Sequence, residues 1–505
     1  MIIEWLILIG AVAAATVLSI YGLHRLALVL AVARTSARPA APIPTAVPEP
    51  PRVTVQLPMF NEGSLGLRVL DAACRLRHPA ARLQIQVLDD STDESTSMLV
   101  DQVARLRSAG HDVELRHRTD RRGAKAGALA AGLESATGEV IAIFDADFVP
   151  APDWLERILP TFADAHVGVV QSRWTHRNAD ESALTQIQAL CLDAHFAIEQ
   201  AARHARGDWF NFNGTAGAWR RTCIDDAGGW AHDTLTEDTD LSYRAQMRGW
   251  HFVYRSDVEC PADLPRSMEA FVGQQHRWTK GLLQNARKLL PAILRAPVPV
   301  RTRLEALMHL TAPLPYAAIL LLAALALPAI FVDVPLYELR PTVAMTFGVT
   351  CLLFGTVAAG IFTLAGQRRV GGSVLSGLVR LPLLMAIHVG VSISNTGAMI
   401  DALVGRRSAF IRTPKPDGTG ERPVDPAAAH RRRLPVGLVE IGAGAAMIVA
   451  CALSLRQPAA LIGAPFLVLF AWGFLLVGIP RFASDLKRRL RSIRTARTVP
   501  DGPAP

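Results

Sequence analysis

Charge is what this 505-residue chain has little of: Asp, Glu, Lys and Arg make up 19% of it, against 50% for apolar residues. Such a composition excludes an intrinsically disordered chain and does not suit an ordinary soluble enzyme. The six cysteines form no CxxC pair, so neither a disulfide scaffold nor a zinc site is indicated. Neither a GxGxxG nor a Walker-type phosphate loop follows any strand-like run, which removes a dinucleotide fold and a P-loop ATPase. The formal net charge is +9. That excess gathers at the ends of apolar stretches, as membrane topology requires, and is not a nucleic-acid footprint.

What the chain does have is long apolar runs. Residues 6–23 are uncharged and the apolar character continues to Val32, enough for the roughly 20 residues that span a bilayer. Glu4 stands where a signal peptide would carry basic residues, and the run is too long for one. Arg34 and Arg38 follow, so the positive-inside rule puts the N-terminus outside and the next domain in the cytoplasm. Residues 1–37 thus read as a membrane helix and its flank, and the Pro/Ala-rich 38–52 as a stiff linker. Residues 53–300 hold no spanning run and form a soluble domain. Apolar runs then recur at 310–332, 341–366, 381–400, 436–455 and 459–479, giving a membrane region over 301–480. If all five crossed, the loop 401–434, with eight Lys or Arg, and the basic tail 481–505 would lie on the wrong face. The run 381–400 carries Pro382, His388, Ser392, Ser394, Asn395 and Thr396. It is expected to lie along the membrane surface or re-enter, leaving five spans. The expectation is a multi-pass protein of a bacterial inner (plasma) membrane, with its soluble domain in the cytoplasm.

Within that domain short β-rich runs alternate with helical ones. Residues 53–57, 84–88, 113–115, 140–144 and 167–171 read as strands, and 65–76, 95–107, 124–133 and 154–163 as helices. This alternation predicts an α/β fold with a mostly parallel sheet covered on both faces, whose ligands bind beyond the carboxyl ends of the strands. Acidic pairs sit there: Asp89-Asp90 after the second strand and Asp145-Ala146-Asp147 after the fourth. Asp90 could simply cap the following helix. Asp145 and Asp147, two apart on a loop, can converge on one hard cation together with substrate phosphates. Four carboxylates at one sheet end would repel one another without such a cation.

Further along, Thr236-Glu237-Asp238 opens a helix, where acids either favour the helix dipole or supply a general base. Gln274-Gln275-His276-Arg277-Trp278 joins a permanent cation that can grip a pyrophosphate to a flat indole that can stack on a sugar. An interfacial Trp/Arg belt is the alternative reading of that block.

In order and kind, these motifs resemble the processive family 2 glycosyltransferases of the cellulose synthase superfamily. The matching pieces are Pro58-Met59-Phe60-Asn61-Glu62, Asp89-Asp90-Ser91, Lys125-Ala126-Gly127, Asp145-Ala146-Asp147, Thr236-Glu237-Asp238 and the Gln274–Trp278 block. Val170-Gln171-Ser172-Arg173-Trp174, Leu192-Asp193-Ala194-His195-Phe196 and Phe212-Asn213-Gly214-Thr215-Ala216-Gly217 look most like mannan synthase (cellulose synthase-like) proteins. About 25 residues follow the last apolar run, so no regulatory cyclic-dinucleotide domain is expected there.

The resemblance implies a GT-A-type domain beside a channel-forming membrane part. It implies that Asn61, Glu62, Asp90 and Lys125 contact the nucleotide-sugar donor, that Asp145 lines the donor site and that Asp147 holds Mg²⁺ or Mn²⁺. Gln274 and Arg277 would hold the diphosphate, Trp278 would stack the acceptor sugar, and Asp238 would be the catalytic base. Phe410, Thr413 and Lys415 match a gating loop that closes over the nucleotide, although Arg412 replaces the usual small apolar residue. His195 and Trp174 are further candidates to line the acceptor path, or else structural residues.

The reaction so implied is inverting transfer of a hexose, from UDP-glucose or GDP-mannose, to a growing β-linked mannan, glucomannan or glucan that leaves through the membrane part. One alternative is a non-processive enzyme glycosylating diacylglycerol or ceramide. Another, of a different class, is a polysaccharide exporter or transporter whose soluble domain only binds nucleotide. Nucleic acid is not an expected partner.

Overall fold

The computed structural model describes residues 2–35, 49–331, 348–406, 435–455 and 463–498. A 34-residue apolar helix, Ile2–Thr35 (α1), leads into the soluble domain. There, Val53–Met59 (β1), Leu83–Asp89 (β2), Val113–His117 (β3), Val140–Ile143 (β4), Val167–His176 (β5), Gly217–Arg220 (β6) and His251–Ala262 (β7) form one sheet, ordered β3-β2-β1-β4-β6-β5-β7. All pairings are parallel except the two that β6 makes, with β4 and with β5. The five strands expected from sequence are the first five of these. The expected doubly covered α/β fold of GT-A type is borne out.

Helices Ser64–Cys74 (α2), Ser95–Ser108 (α3), Ala124–Leu133 (α4) and Trp154–Ile158 (α5) fill the crossovers. On one face, Val53, Val55 and Leu57 of β1 meet Val69, Leu70, Leu99 and Trp154. On the other, Ile141 and Ile143 of β4 meet Leu129, Phe212 and Trp219. The odd-numbered residues of β1 are apolar because they face the first of these cores, by the two-residue period of a strand. Two of its even-numbered residues, Thr54 and Gln56, face the other way and are equally buried. They are satisfied across the ladder: Thr54 Oγ1 donates to Gln84 Oε1 (2.8 Å) and Gln56 Nε2 to Gln86 Oε1 (3.0 Å). This polar rung, and the apolar cores on either side of it, fix the register that aligns the ends of β1, β2 and β4.

The second half of the domain adds Ala183–Ala194 (α6), a π-helical turn at His195–Gln200, Ala201–Arg206 (α7), Arg221–Asp226 (α8), Glu237–Met247 (α9) and the long Met268–Ile293 (α10). Val300–Leu310 (α11) and Leu314–Ala329 (α12) follow, bent 53° apart. Then come Ala358–Arg369 (α13), Val374–Val404 (α14), Leu438–Ser454 (α15) and Ala464–Thr498 (α16).

Among the described residues, four helices are long and apolar enough to cross a membrane: Ile2–Arg34, Gly348–Arg369, Val374–Val404 and Ala464–Leu490, with the bent pair α11–α12 as a fifth candidate. This set differs from the sequence expectation at two helices. It admits α14, expected to lie along the surface, and omits α15, which has only 17 residues. The anchoring of α14 bears on this difference. Near its start, Arg380 Nε donates to Gln186 of α6 (3.1 Å). Near its end, Met399 and Ala402 pack with Leu283 and Ala286 of α10, and Asp401 lies 3.8 Å from Lys280. Both ends of a helix about 46 Å long therefore touch the soluble domain. Likewise α16 brings Arg481 back to Glu269 at the start of α10 (3.2 Å), and Arg481 also pairs with Glu440 in the first turn of α15.

Candidate active site

The parallel strands β1, β2 and β4 end along one edge of the sheet, and a cleft of about 220 Å³ opens there. The turn after β1 brings Phe60 and Glu62, that after β2 Asp90, and that after β4 Asp145 and Asp147. The first turn of α4 adds Lys125, and the first turn of α9 adds Glu237 and Asp238. Gln274, Arg277 and Trp278 close the cleft from α10, where their i, i+3, i+4 spacing puts all three on one helix face. Of the residues given a donor, metal, acceptor-stacking or base role from sequence, every one within the described residues reaches this cleft except Asn61. Asn61 instead ties two loops together: its N–H donates to Ser91 Oγ (2.8 Å) and its Oδ1 accepts from Thr92 N–H (2.8 Å). Phe410, Thr413 and Lys415 fall outside the described residues.

The expectation that Asp89, Asp90, Asp145 and Asp147 share one cation needs correction, because protein groups neutralise most of them. Asp89 is fully buried and accepts from Thr96 Oγ1 (2.7 Å) and Ser91 N–H (3.0 Å), with His117 Nδ1 at 2.8 Å. Asp90 is neither a helix cap nor free for a metal. Arg118 grips both its oxygens, Nε to Oδ1 at 2.7 Å and Nη2 to Oδ2 at 2.6 Å. Asp145 Oδ1 lies 2.6 Å from Lys125 Nζ. Among the described residues no group of three or more His, Cys, Asp or Glu could hold a metal. The donor set therefore suits an ion held by a carboxylate such as Asp147 together with substrate phosphates, the usual coordination of Mg²⁺ at nucleotide sites.

Lys125 sits in the first turn of a helix, where the dipole disfavours a cation. Burial also opposes its charge, but Asp145, Glu237 and Asp238 outweigh both and hold the ammonium above its usual range. Its Nζ also donates to the Gly214 carbonyl (2.9 Å), tying the loop before β6 to the cleft. Burial, and then the neighbouring Glu237, push the Asp238 carboxyl up to about 7, against the pull of Lys125. Glu237 is likewise raised, chiefly by burial. Asp238 Oδ1 accepts from Thr239 N–H (2.7 Å), which fixes its direction. Asp240, in the same turn, has a different role: it is buried against Arg244 and Lys288, each at 2.7 Å. Burial lowers the Arg277 guanidinium to about 10, still far above neutrality, so it stays a cation.

Gly214 is the feature that the sequence motif carried without a role. Its φ is +82°, and a Cβ there would lie 2.9 Å from Asp238 Oδ2. A side chain would be strained in this conformation and would push the carboxylate aside. Gly214→Ala is expected to cost about 10²-fold in turnover, as a displacement of about 1 Å can, with nucleotide affinity little changed. Steady-state kinetics beside nucleotide titration would check this. Arg118 was also not singled out; no local spacing signals it, because its importance lies in the Asp90 carboxylate it grips from 28 residues away. Trp174 lines the cleft as expected, whereas His195 does not and is held between Glu199 and Asn213.

Residues 50–281 match the family model described as Glycosyltransferase like family 2. Over 250 residues the chain is 44% identical to glucomannan 4-beta-mannosyltransferase 2 of Arabidopsis thaliana, covering 48% of this chain and 47% of that one. Glucomannan 4-beta-mannosyltransferase 1 of Oryza sativa subsp. japonica is 42% identical, over 48% of each. The chain thus spans about half the length of the curated relatives it matches. Among solved structures, a mannosyltransferase of Pyrobaculum calidifontis in complex with GDP-Man and Mn²⁺ matches in fold. Its TM-score is 0.54 at 23% identity, covering 79% of this chain and all of that one. The resemblance to the mannan synthase side of the superfamily is borne out by these relatives, and residues 50–281 are similar to the glycosyltransferase domains of family 2.

Proposed function

We propose that the chain is a membrane-bound inverting hexosyltransferase that moves mannose from GDP-mannose onto a growing β-linked mannan or glucomannan. The observation that carries this reading is Asp238, a directed carboxyl whose pKa is raised to about 7, facing Lys125, Arg277 and Trp278 across one cleft. A nucleotide-binding exporter has no use for a base in that position. The mannose donor is favoured by the relatives, which are named as mannosyltransferases.

In the proposed reaction, Trp278 stacks the acceptor ring and Asp238 takes the proton from its attacking hydroxyl. Arg277, with Gln274 beside it, meets the charge that develops on the leaving diphosphate. Glu62, Asp90 with its partner Arg118, and Asp145 with Lys125 shape the donor end of the cleft. Asp147 would hold Mg²⁺ or Mn²⁺, which when bound neutralises the diphosphate. Single displacement at an α-linked donor yields a β linkage. Phe410, Thr413 and Lys415 remain assigned to the gating segment on their sequence match.

The domain limits and topology follow the same reading: α1, α12, α13, α15 and α16 cross, and α14 lies along the membrane face of the domain. Its contacts with the domain at both ends support this. So does the return of Arg481 to Glu269, which brings the end of α14 at Asp401 and α16 at Arg481 to the side of the soluble domain. The positive-inside rule makes that side the cytoplasm. The relatives are plant proteins and lend no support to the bacterial membrane expected from sequence.

The test is label incorporation from GDP-mannose and UDP-glucose by membranes containing the chain. Label in an ethanol-insoluble fraction that β-mannanase digests is the expected outcome. Label confined to the organic phase would instead mean a glycolipid enzyme. EDTA should abolish incorporation and Mn²⁺ or Mg²⁺ restore it, while Asp147→Asn raises the metal concentration needed by about tenfold or more.

A further inference from the structure

A second cavity, of about 300 Å³, adjoins the catalytic cleft, and His176 at the end of β5 lines both. The other walls come from β5, α6, β7 and the α13–α14 connection, so the cavity lies where the glycosyltransferase domain meets the apolar helices. Its volume is at the lower end of the roughly 300–1,000 Å³ typical of small-ligand sites. No part of the reaction described above uses it.

His176 is the unexplained group. Its side chain is 5% exposed, yet neither Nδ1 nor Nε2 has a hydrogen-bond partner among the described residues. Asp193 Oδ1 lies 3.3 Å from Nε2 without hydrogen-bond geometry. A buried ring with both nitrogens unsatisfied costs stability, and such a group calls for a partner. The cavity's charges indicate what kind. Arg173 is paired with Glu259, and Arg380 is bonded to Gln186. Two arginines face three carboxylates, Asp180, Asp193 and Glu259, so there is no cationic excess to attract a phosphate or an anionic headgroup. What remains, with Gln186 and Gln367, is a wall of hydrogen-bond donors and acceptors suited to a neutral polyhydroxylated ligand.

We propose that this cavity is a second saccharide subsite, which holds a hexose of the glycan beyond the unit at the reacting position, with His176 hydrogen-bonding its hydroxyls. The proposal rests on the glycosyltransferase reading of the adjoining cleft.

Binding can be measured on the full chain in detergent, carrying Asp238→Asn so that nothing turns over, with GDP, β-1,4-mannobiose and β-1,4-mannohexaose as probes. Adding His176→Leu should weaken mannohexaose by about fivefold or more, the scale of one or two lost hydrogen bonds, and leave mannobiose and GDP unchanged. Gln367→Ala, on the membrane side of the cavity, should act in the same direction. His176→Leu should not lower the unfolding midpoint, since it removes an unsatisfied polar group; a purely structural histidine would not behave so. Unchanged mannohexaose affinity in both variants overturns the subsite. Made in the chain with Asp238 intact, a variant that alters only the dependence of activity on anionic phospholipid also overturns it, in favour of a headgroup site. If the chain with His176 intact binds GDP but no oligosaccharide, the glycan-acceptor reading itself falls, and the subsite with it.

Discussion

Replacing Asp238 with Asn should lower hexose transfer by about 10³-fold, within the 10²–10⁴ that a positioned general base contributes, while nucleotide binding survives. Asn keeps the shape of the side chain and can still accept from Thr239 N–H, but it cannot take a proton from the acceptor hydroxyl. A variant retaining a tenth of the parent activity would remove the assignment. The raised pKa supplies a second check. The working form is the carboxylate, and the free carboxyl titrates near 7. So kcat/KM should fall about tenfold per unit as pH drops below 7 and level off above it. The sign for stability is the opposite. A carboxyl raised above its unfolded value disfavours the fold in its charged form, a cost absent below about pH 4 and fully present above pH 7. Asp238→Asn should therefore unfold at pH 8 at a midpoint no lower than the parent chain. A loss of activity with a gain in stability would mark Asp238 as a group kept for chemistry rather than for folding.

How much of this was legible in the sequence depended on whether the signal was local. β1 to β5 read correctly because each is a short apolar or alternating run between turns. β6 was missed because its Gly217-Ala218-Trp219-Arg220 has no β-branched residue and opens on glycine, unlike the equally short Val140–Ile143 of β4. β7 was missed because Arg255, Asp257, Glu259 and Pro261 break its apolar pattern, which an edge strand tolerates and uses to deter further pairing. The cleft residues were legible by type, since Asp145, Asp147, Asp238 and the Gln274–Trp278 block stand in recognisable motifs. Their pairings were not. Arg118 lies 28 residues from Asp90 and Lys125 lies 20 from Asp145, and only the strand order brings them together. Four carboxylates therefore suggested a shared cation where the fold instead supplies His117, Arg118 and Lys125. The unsatisfied His176 carried no sequence signal at all, because only burial makes an unpaired imidazole notable.

Arg203→Met should be strongly destabilising, and it tests how the membrane helix is joined to the catalyst. Arg203 is 2% exposed; its Nε donates to Glu305 Oε1 of α11 (2.9 Å) and its Nη1 lies 3.7 Å from Glu199. Glu305 in turn meets His24 of α1 at 2.9 Å, and Glu199 meets His195 Nδ1 at 2.8 Å. Gln200 Nε2 donates to Asn213 Oδ1 (2.6 Å), which directs the Asn213 amide Nδ2 to His195 Nε2 (3.0 Å). That assigns the proton of His195 to Nδ1, from which it donates to Glu199. One buried chain of polar groups thus runs from the first membrane helix to Asn213, the neighbour of Gly214 in the cleft. Removing Arg203 leaves the buried Glu305 and the half-buried Glu199 without their common cation, a loss of about 3–5 kcal/mol, or on the order of 10 °C in the unfolding midpoint of the detergent-solubilised chain. Methionine fills the volume, so the loss reports charge rather than a cavity. Adding Glu305→Gln to Arg203→Met should recover about 1–3 kcal/mol of it, because one unpaired charge goes with its partner. Strictly additive losses would mean that the two residues contribute separately, and that α1 is held to the domain by other contacts, such as the apolar packing of Leu28 and Val32 and the hydrogen bond of Tyr21 to the Thr311 carbonyl (2.8 Å).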